Sequence, residues 1–300
     1  MKLLEKLRAD FPNESLSFSE VDDGVVLIKI NNQYANASIS LQGAQLFEWV
    51  PNNQHPVIWV SEDAVHKKNK SIRGGIPICW PWFGAHDSES PFPAHGFARS
   101  QEWELCGVND LHDGSTQLEF KLADKPECQH FWPYKTMLEL RVTLGLNLAL
   151  NLTTANLAEE DFVLTEALHT YFNISDIKNI TVEGLDECDY LDKVDDFELK
   201  KQSGVIKVDK ETDRVYINTE KAVSIIDDSY KRKITVTKNG SLSTVVWNPW
   251  QDKANEIGDM GKEGFRHMIC VETANACNNK IRLSSGKSHV MSVEYAINEI

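Results

Sequence analysis

Short apolar runs of period two, each closed by a polar turn, recur along the chain and restrict its fold more than any other feature. Residues 25–30, 136–144, 146–154, 162–171, 222–226, 234–237, 243–247, 267–272 and 289–295 read as strands. Within 136–144, Leu138, Leu140 and Val142 alternate with Glu139, Arg141 and Thr143, as in an antiparallel strand with one face on a core. Gly145 reads as the turn of a hairpin into the next strand. Helical spacing is weak and confined to residues 2–9 and 251–260. No strand–helix–strand alternation occurs, which argues against a doubly wound parallel sheet. The fold class read from the pattern is all-β: a large antiparallel β-sandwich with few short helices. With no linker, fixed-period repeat or low-complexity tract, residues 1–300 read as a single domain, a length that sandwiches reach.

A formal net charge of -14 speaks against a general nucleic-acid or membrane-surface binder, which needs a basic face. The basic runs extend no further than Lys67-Lys68 and Lys231-Arg232-Lys233. An acidic protein still binds a small anion where a few arginines gather locally. The six cysteines, Cys79, Cys106, Cys128, Cys188, Cys270 and Cys277, are scattered without a Cys-x-x-Cys pair and read as reduced, mostly buried thiols of a cytoplasmic protein. Residues 1–10 lack the apolar core of a signal peptide, and no apolar run approaches a membrane span. There is no His-x-His or His-Glu-x-x-His spacing, no Gly-x-Gly-x-x-Gly or Walker loop, and no Gly-x-Ser-x-Gly elbow. Neither a metal nor a cofactor is expected.

Five segments carry residues suited to chemistry. Residues 73–99 (RGGIPICWPWFGAHDSESPFPAHGFAR) are dense in proline, glycine and aromatic residues, so they form ordered loops rather than a helix or central strand. Arg73 precedes Gly74-Gly75, where a backbone approaches a ligand closely. Arg73 and Arg99, at the two ends of the segment, suit either convergence on a phosphate or surface pairing with carboxylates. In 165–172 (TEALHTYF), His169 shares a strand face with Ala167 and Tyr171 and is either an acid working near pH 7 or a hydrogen-bonded structural residue. In 268–273 (MICVET), Glu272 sits among apolar residues. It is either a base whose pKa is raised by burial or an outward-facing side chain. Trp247-Asn248-Pro249-Trp250 offers flat faces and an amide to a sugar, or two core tryptophans. Asp213-Arg214-Val215-Tyr216 is ambiguous in the same way.

Taken in order, six pieces resemble the aldose 1-epimerase (galactose mutarotase-like) superfamily, and its hexose-6-phosphate mutarotase branch most of all. They are RGGIPICWPWFG (73–84), PAHGFAR (93–99), EALHTYF (166–172), TDRVY (212–216), VVWNPW (245–250) and CVE (270–272). Each alone is weak; six in register, within a likeness spanning about residues 25–295, are specific. The resemblance implies an open concave face of a β-sandwich holding a sugar. It implies His169 as general acid and Glu272 as general base, and Arg73 and Arg99 as substrate ligands for a phosphate. It further implies Asp213 as a partner of sugar hydroxyls and His95 as support for the ring oxygen or the anomeric hydroxyl. Ala94 is a departure, since some members carry a glutamine ligand there.

The implied reaction interconverts the α and β anomers of a hexose 6-phosphate. Glu272 takes the C1 hydroxyl proton while His169 protonates the ring oxygen, from opposite sides of the C1–O5 unit. The ring then opens and recloses from the other face. Trp247 is expected to line the sugar. The expected partner is a small sugar phosphate, with no nucleic acid or membrane, and the chain is expected to be a monomer. The competing reading is a non-catalytic carbohydrate-binding sandwich with the same aromatics and arginines. Glucose 6-phosphate is the substrate expected foremost, with galactose and mannose phosphates as alternatives.

Overall fold

Alternation along the strands builds two eight-stranded antiparallel sheets, seen in a computed structural model that describes residues 3–86, 92–122 and 128–300. One sheet runs Ile180–Glu183, Val223–Asp227, Arg232–Asn239, Ser288–Glu299, Leu148–Asn156, Thr136–Leu144, Thr116–Leu122 and Trp103–Asp110 in spatial order. The other, hereafter the site sheet, runs Glu198–Lys201, Asp189–Asp192, Thr212–Ile217, Ser243–Asn248, Met268–Asn275, Glu166–Leu168 and Ile78–Cys79, with Tyr171–Asn173 also paired to Met268–Asn275. A four-stranded sheet (Leu16–Glu20, Val26–Asn31, Ala35–Ser40, Leu46–Pro51) and a two-stranded one (Phe162–Leu164 with Ile281–Leu283) complete the architecture.

The main core draws on Leu138, Leu140, Leu150, Leu152 and Val293 from the first sheet and on Leu168, Phe172, Val246, Ile269 and Val271 from the site sheet. The centre of the site sheet is buried on both faces. Every residue of Met268–Asn275 is buried: Ile269 and Val271 join the main core, while Cys270 and Ala274 join two smaller clusters on the opposite face. A strand buried on both sides reads as a continuous apolar run, which is why period two fades there.

The expected all-β fold is the observed one, and among the described residues only Leu3–Asp10 and Trp250–Ile257 are α-helical. Residue 2, the start of the first expected helix, lies outside the described residues. The expected strand 162–171 is a correction: it divides into Phe162–Leu164, Glu166–Leu168 and Tyr171–Asn173, because its first part pairs with Ile281–Leu283 and the rest with Met268–Asn275. The acidic, turn-rich residues 186–196 contribute the strand Asp189–Asp192, which forms a hairpin with Glu198–Lys201 at the edge of the site sheet. Gly74 and Gly75 are needed for packing. Both have positive φ, and a side chain on either would strike the backbone around Trp59–Val60 or Leu46–Phe47.

Candidate active site

The register of the site sheet sets two rows of side chains on the face turned away from the main core. Asp213 pairs with Trp247, Trp247 with Cys270, and Cys270 with Tyr171. Side chains of one face repeat every second residue, so the next row is Val215, Val245 and Glu272. His169 falls between Leu168, opposite Thr273, and Tyr171, opposite Cys270. The same register therefore brings His169 directly opposite Glu272. Two residues 103 positions apart become cross-strand neighbours.

The segment bearing His169 is held from both sides. Its backbone N–H donates to the Pro77 carbonyl at 3.0 Å. On the core side, the hydroxyls of Thr170 and Tyr295 lie 2.6 Å apart and tie the site sheet to the strand Ser288–Glu299. The imidazole stacks on Tyr171, centroids 4.8 Å apart and planes at 10°, and meets Trp247 edge-on at 5.9 Å. Its Nε2 stands 3.4 Å from Glu272 Oε1. His169 Nδ1 and Glu272 Oε2 are buried with no hydrogen-bond partner. Burial, reinforced by His95 and by the charges of Arg99 and Arg73, pushes the His169 imidazole well below its usual value. Burial, followed by the charge of Asp213, pushes Glu272 well above its own. Both shifts favour a neutral pair holding a single proton between them.

The proline-rich segment closes one side. Of residues 73–99, positions 87–91 lie outside the described residues. Ile78–Cys79 pairs with Glu166–Leu168 at the sheet's edge, a place where flanking prolines are tolerated. His95 faces His169 at 5.7 Å between ring centroids, and its Nδ1 accepts from the Gly84 N–H at 3.3 Å. Burial first, then Arg99, Lys193 and Arg73, push His95 down to about 3, so it is a neutral imidazole. Arg73 donates from Nε to Asp259 at 2.8 Å and from a terminal nitrogen to the Tyr171 hydroxyl at 3.2 Å. Arg99 donates to the Ala94 carbonyl at 2.8 Å. Arg73 and Arg99 both bear electrostatically on His95 and His169, so the two guanidiniums do gather on one site in an acidic chain.

All seven residues singled out in the sequence therefore sit around one face: His169, Glu272, Arg73, Arg99, His95, Asp213 and Trp247. Two details differ from expectation. The imidazole and the carboxyl stand side by side instead of leaving room for a ring between them. Asn248 does not face the site: its amide is fully buried and donates to the Phe265 and Met268 carbonyls at 2.8 and 2.9 Å.

Sequence reasoning missed Lys193, whose Nζ lies 2.6 Å from Asp213 Oδ2, as well as Asp259 and Phe83. Lys193 was hidden in a charged, turn-rich stretch, and its only sequence signal was being a lone cation among acids. Among the described residues, His169, Cys270 and Glu272 bring ligand atoms within 4.8 Å of one another. Burial holds the Cys270 thiol well above its usual value and Glu272 likewise.

Comparison with known proteins bears on the family and the fold. The aldose 1-epimerase family model matches residues 26–296. A protein of Escherichia coli named "Putative glucose-6-phosphate 1-epimerase" is 37% identical over 255 residues, covering 85% of this chain and 84% of that one. One of the same name from Cenchrus ciliaris is 37% identical over 262 residues, covering 84% and 78%. The crystal structure of a "putative mutarotase" from Salmonella typhimurium superposes with a TM-score of 0.90 at 32% identity, over 100% of both chains.

Proposed function

Because the chain belongs to the aldose 1-epimerase family, we propose that it interconverts the α and β anomers of a hexose 6-phosphate, glucose 6-phosphate foremost, by acid–base ring opening and closure. The observation that carries this reading is the buried His169–Glu272 pair, 3.4 Å apart on a face ringed by Arg73, Arg99 and Lys193.

O1 and O5 of a pyranose are both bonded to C1, so two groups standing side by side reach both. Glu272 takes the proton of the C1 hydroxyl as the C1–O5 bond breaks, and His169 delivers its proton to O5. The products are the open-chain aldehyde, a protonated Glu272 and a neutral His169. Rotation about C1–C2 presents the other carbonyl face. His169 then takes the O5 hydroxyl proton as O5 attacks C1, and Glu272 returns its proton to O1. Atoms and protons balance, and no electrons are transferred. Ring opening thus turns an ion pair into a neutral pair with the same single proton. Burial favours the neutral pair, so the proton passes from Glu272 to His169 at some cost before the ring opens, and ring opening returns the pair to its resting form. His169 Nδ1 and Glu272 Oε2 are buried without a hydrogen-bond partner in the protein, at a cost of about 1–3 kcal/mol each.

His95, a neutral imidazole, supports the ring oxygen or the anomeric hydroxyl. Arg73 and Arg99 hold the phosphate, Asp213 accepts from sugar hydroxyls, and Trp247 offers its face to the ring. A domain that only bound sugars would have no use for a shared proton in a buried pair.

The test is anomer exchange followed by magnetisation-transfer NMR on a panel of hexoses with and without a 6-phosphate. Acceleration greatest on glucose 6-phosphate is expected. Binding without acceleration would overturn the proposal in favour of a carbohydrate-binding domain.

A further inference from the structure

The row Asp213–Trp247–Cys270–Tyr171 has one more member. Asp189–Asp192 pairs with Thr212–Ile217 as far as Asp192 opposite Arg214. One further step of that register sets Lys193 opposite Asp213, although the backbone there has already turned into the short 3-10 segment Lys193–Asp195. The side chains complete what the ladder leaves: Nζ to Oδ2 is 2.6 Å. The same Nζ lies 5.7 Å from the centroid of Phe83, whose ring meets His95 edge-on at 5.0 Å. Lys193 thereby links the edge hairpin to the proline-rich loop. Its charge reaches Glu272, His95, Cys79 and Cys277.

We infer that Lys193 is a positioning residue that clamps Oδ2 of Asp213 so that Oδ1 is presented to the sugar hydroxyls. The inference rests on reading this face as a sugar epimerase site. Two observations support it. First, Asp213 is mostly buried, and burial pushes its carboxyl up while the charge and hydrogen bond of Lys193 pull it down. Without the lysine, this position tends toward a protonated acid, which donates from one oxygen instead of accepting on both. Second, Lys193 stands at the far end of the row from Tyr171, the residue bonded by Arg73. Four strand spacings separate their Cα positions, about 19 Å at about 4.8 Å each. The lysine thus serves the hydroxyl end of the cleft and Arg73 the phosphate end.

The groups that bear on Asp213 besides Lys193 are Asp192, itself bonded by Lys200, Glu211 on the chain just before it, and Glu272, Cys270 and Cys277 across the face. None of these but Lys193 is a cation, so Lys193 alone among them stabilises the carboxylate.

The experiment measures anomer exchange on glucose and glucose 6-phosphate, from pH 5 to 9, for the wild type, K193M, K193R, D213N and K193M/D213N. K193M is expected to raise KM about tenfold for both sugars alike, the loss that follows from undoing one charged hydrogen bond. Its KM should also rise on the acid side at a higher pH than in the wild type, because Asp213 has lost the cation that kept it ionised. K193R should recover most of the affinity, and the double variant should be no worse than D213N. A KM effect confined to glucose 6-phosphate would make Lys193 a phosphate ligand and overturn the inference. So would an unchanged K193M, or additive losses in the double variant. K193R, which keeps the cation, separates loss of the clamp from loss of the fold. A wild type that fails to accelerate exchange at all would instead sink the epimerase reading, a distinguishable result.

Discussion

His169 and Glu272 are opposed residues of neighbouring antiparallel segments, with Nε2 and Oε1 3.4 Å apart, and each is almost wholly buried. The imidazole is held down and the carboxyl held up by the same cause, removal from water. Neither is well described alone; together they form a couple that carries one proton and has two ways to hold it.

Removing either member breaks the couple. Glu272→Gln and His169→Asn are each expected to lower kcat by about 10²–10⁴-fold, the usual worth of a positioned acid or base. The double variant should lose far less than the product of the two, since the groups act as a unit. Glutamine resembles the neutral carboxyl that burial favours, so Glu272→Gln should shift Tm by no more than a few degrees. Single-turnover NMR exchange and calorimetry check both parts. Activity surviving in either variant would remove the pair from the chemistry.

The pH dependence follows with its sign. On the acid side a second proton on the couple stops the reaction, and its main acceptor is His169, held below its ordinary 6.5. On the alkaline side the single proton is lost, and it resides mainly on Glu272, held above its ordinary 4.5. The profile of kcat/KM is therefore a bell with an acid limb below 6.5 and an alkaline limb above 4.5. A rate that is flat from about pH 4 to about pH 9 contradicts a titrating couple.

How much of this is legible in the sequence depends on the element. Period two identifies Thr136–Leu144 and its neighbours because one face meets water. It weakens in Ala35–Ser40 (ANASIS) and Glu198–Lys201 (ELKK), one polar yet mostly buried and the other an exposed edge strand. Those elements are fixed by tertiary pairing rather than by local pattern. A histidine beside tyrosine and a glutamate among apolar residues make His169 and Glu272 candidates, and the family resemblance is what marks them as acid and base. Their adjacency is not visible, since register between distant strands leaves no local trace. Lys193 is invisible for the same reason: its partner Asp213 lies across a strand pair, and a lysine in an acidic turn looks like solvated surface.

Arg73 supplies a prediction about specificity. Its guanidinium is largely buried; burial opposes its charge, and Tyr171 and Asp259 more than compensate. An ordered, always-charged fork of this kind suits a phosphate. Arg73→Ala should raise KM for glucose 6-phosphate far more than for glucose, by about 10–100-fold against about 2-fold, given charged hydrogen bonds of about 1.5–3 kcal/mol. Steady-state exchange rates on both sugars decide it. Equal effects on the two would take Arg73 away from the phosphate.

Gly96 and Gly286 share a left-handed backbone, with φ of 70° at both. They differ in space. Gly96 forms a bridge with Trp80, and a side chain there would run into the Trp80 carbonyl, the acceptor for the Phe97 and Ala98 N–H groups. Gly286 has open space around it. Alanine at Gly286 pays only for the unfavourable φ, about 1–2 kcal/mol, and should leave exchange rates unchanged. Alanine at Gly96 adds overpacking, for a total of about 2–5 kcal/mol, and displaces the adjoining His95 and Arg99 from the site. The expected result is a lower Tm for both variants, with kcat/KM falling only in Gly96→Ala. If the two variants lost activity equally, the close approach of Gly96 to Trp80 would not be what holds the catalytic loop in place.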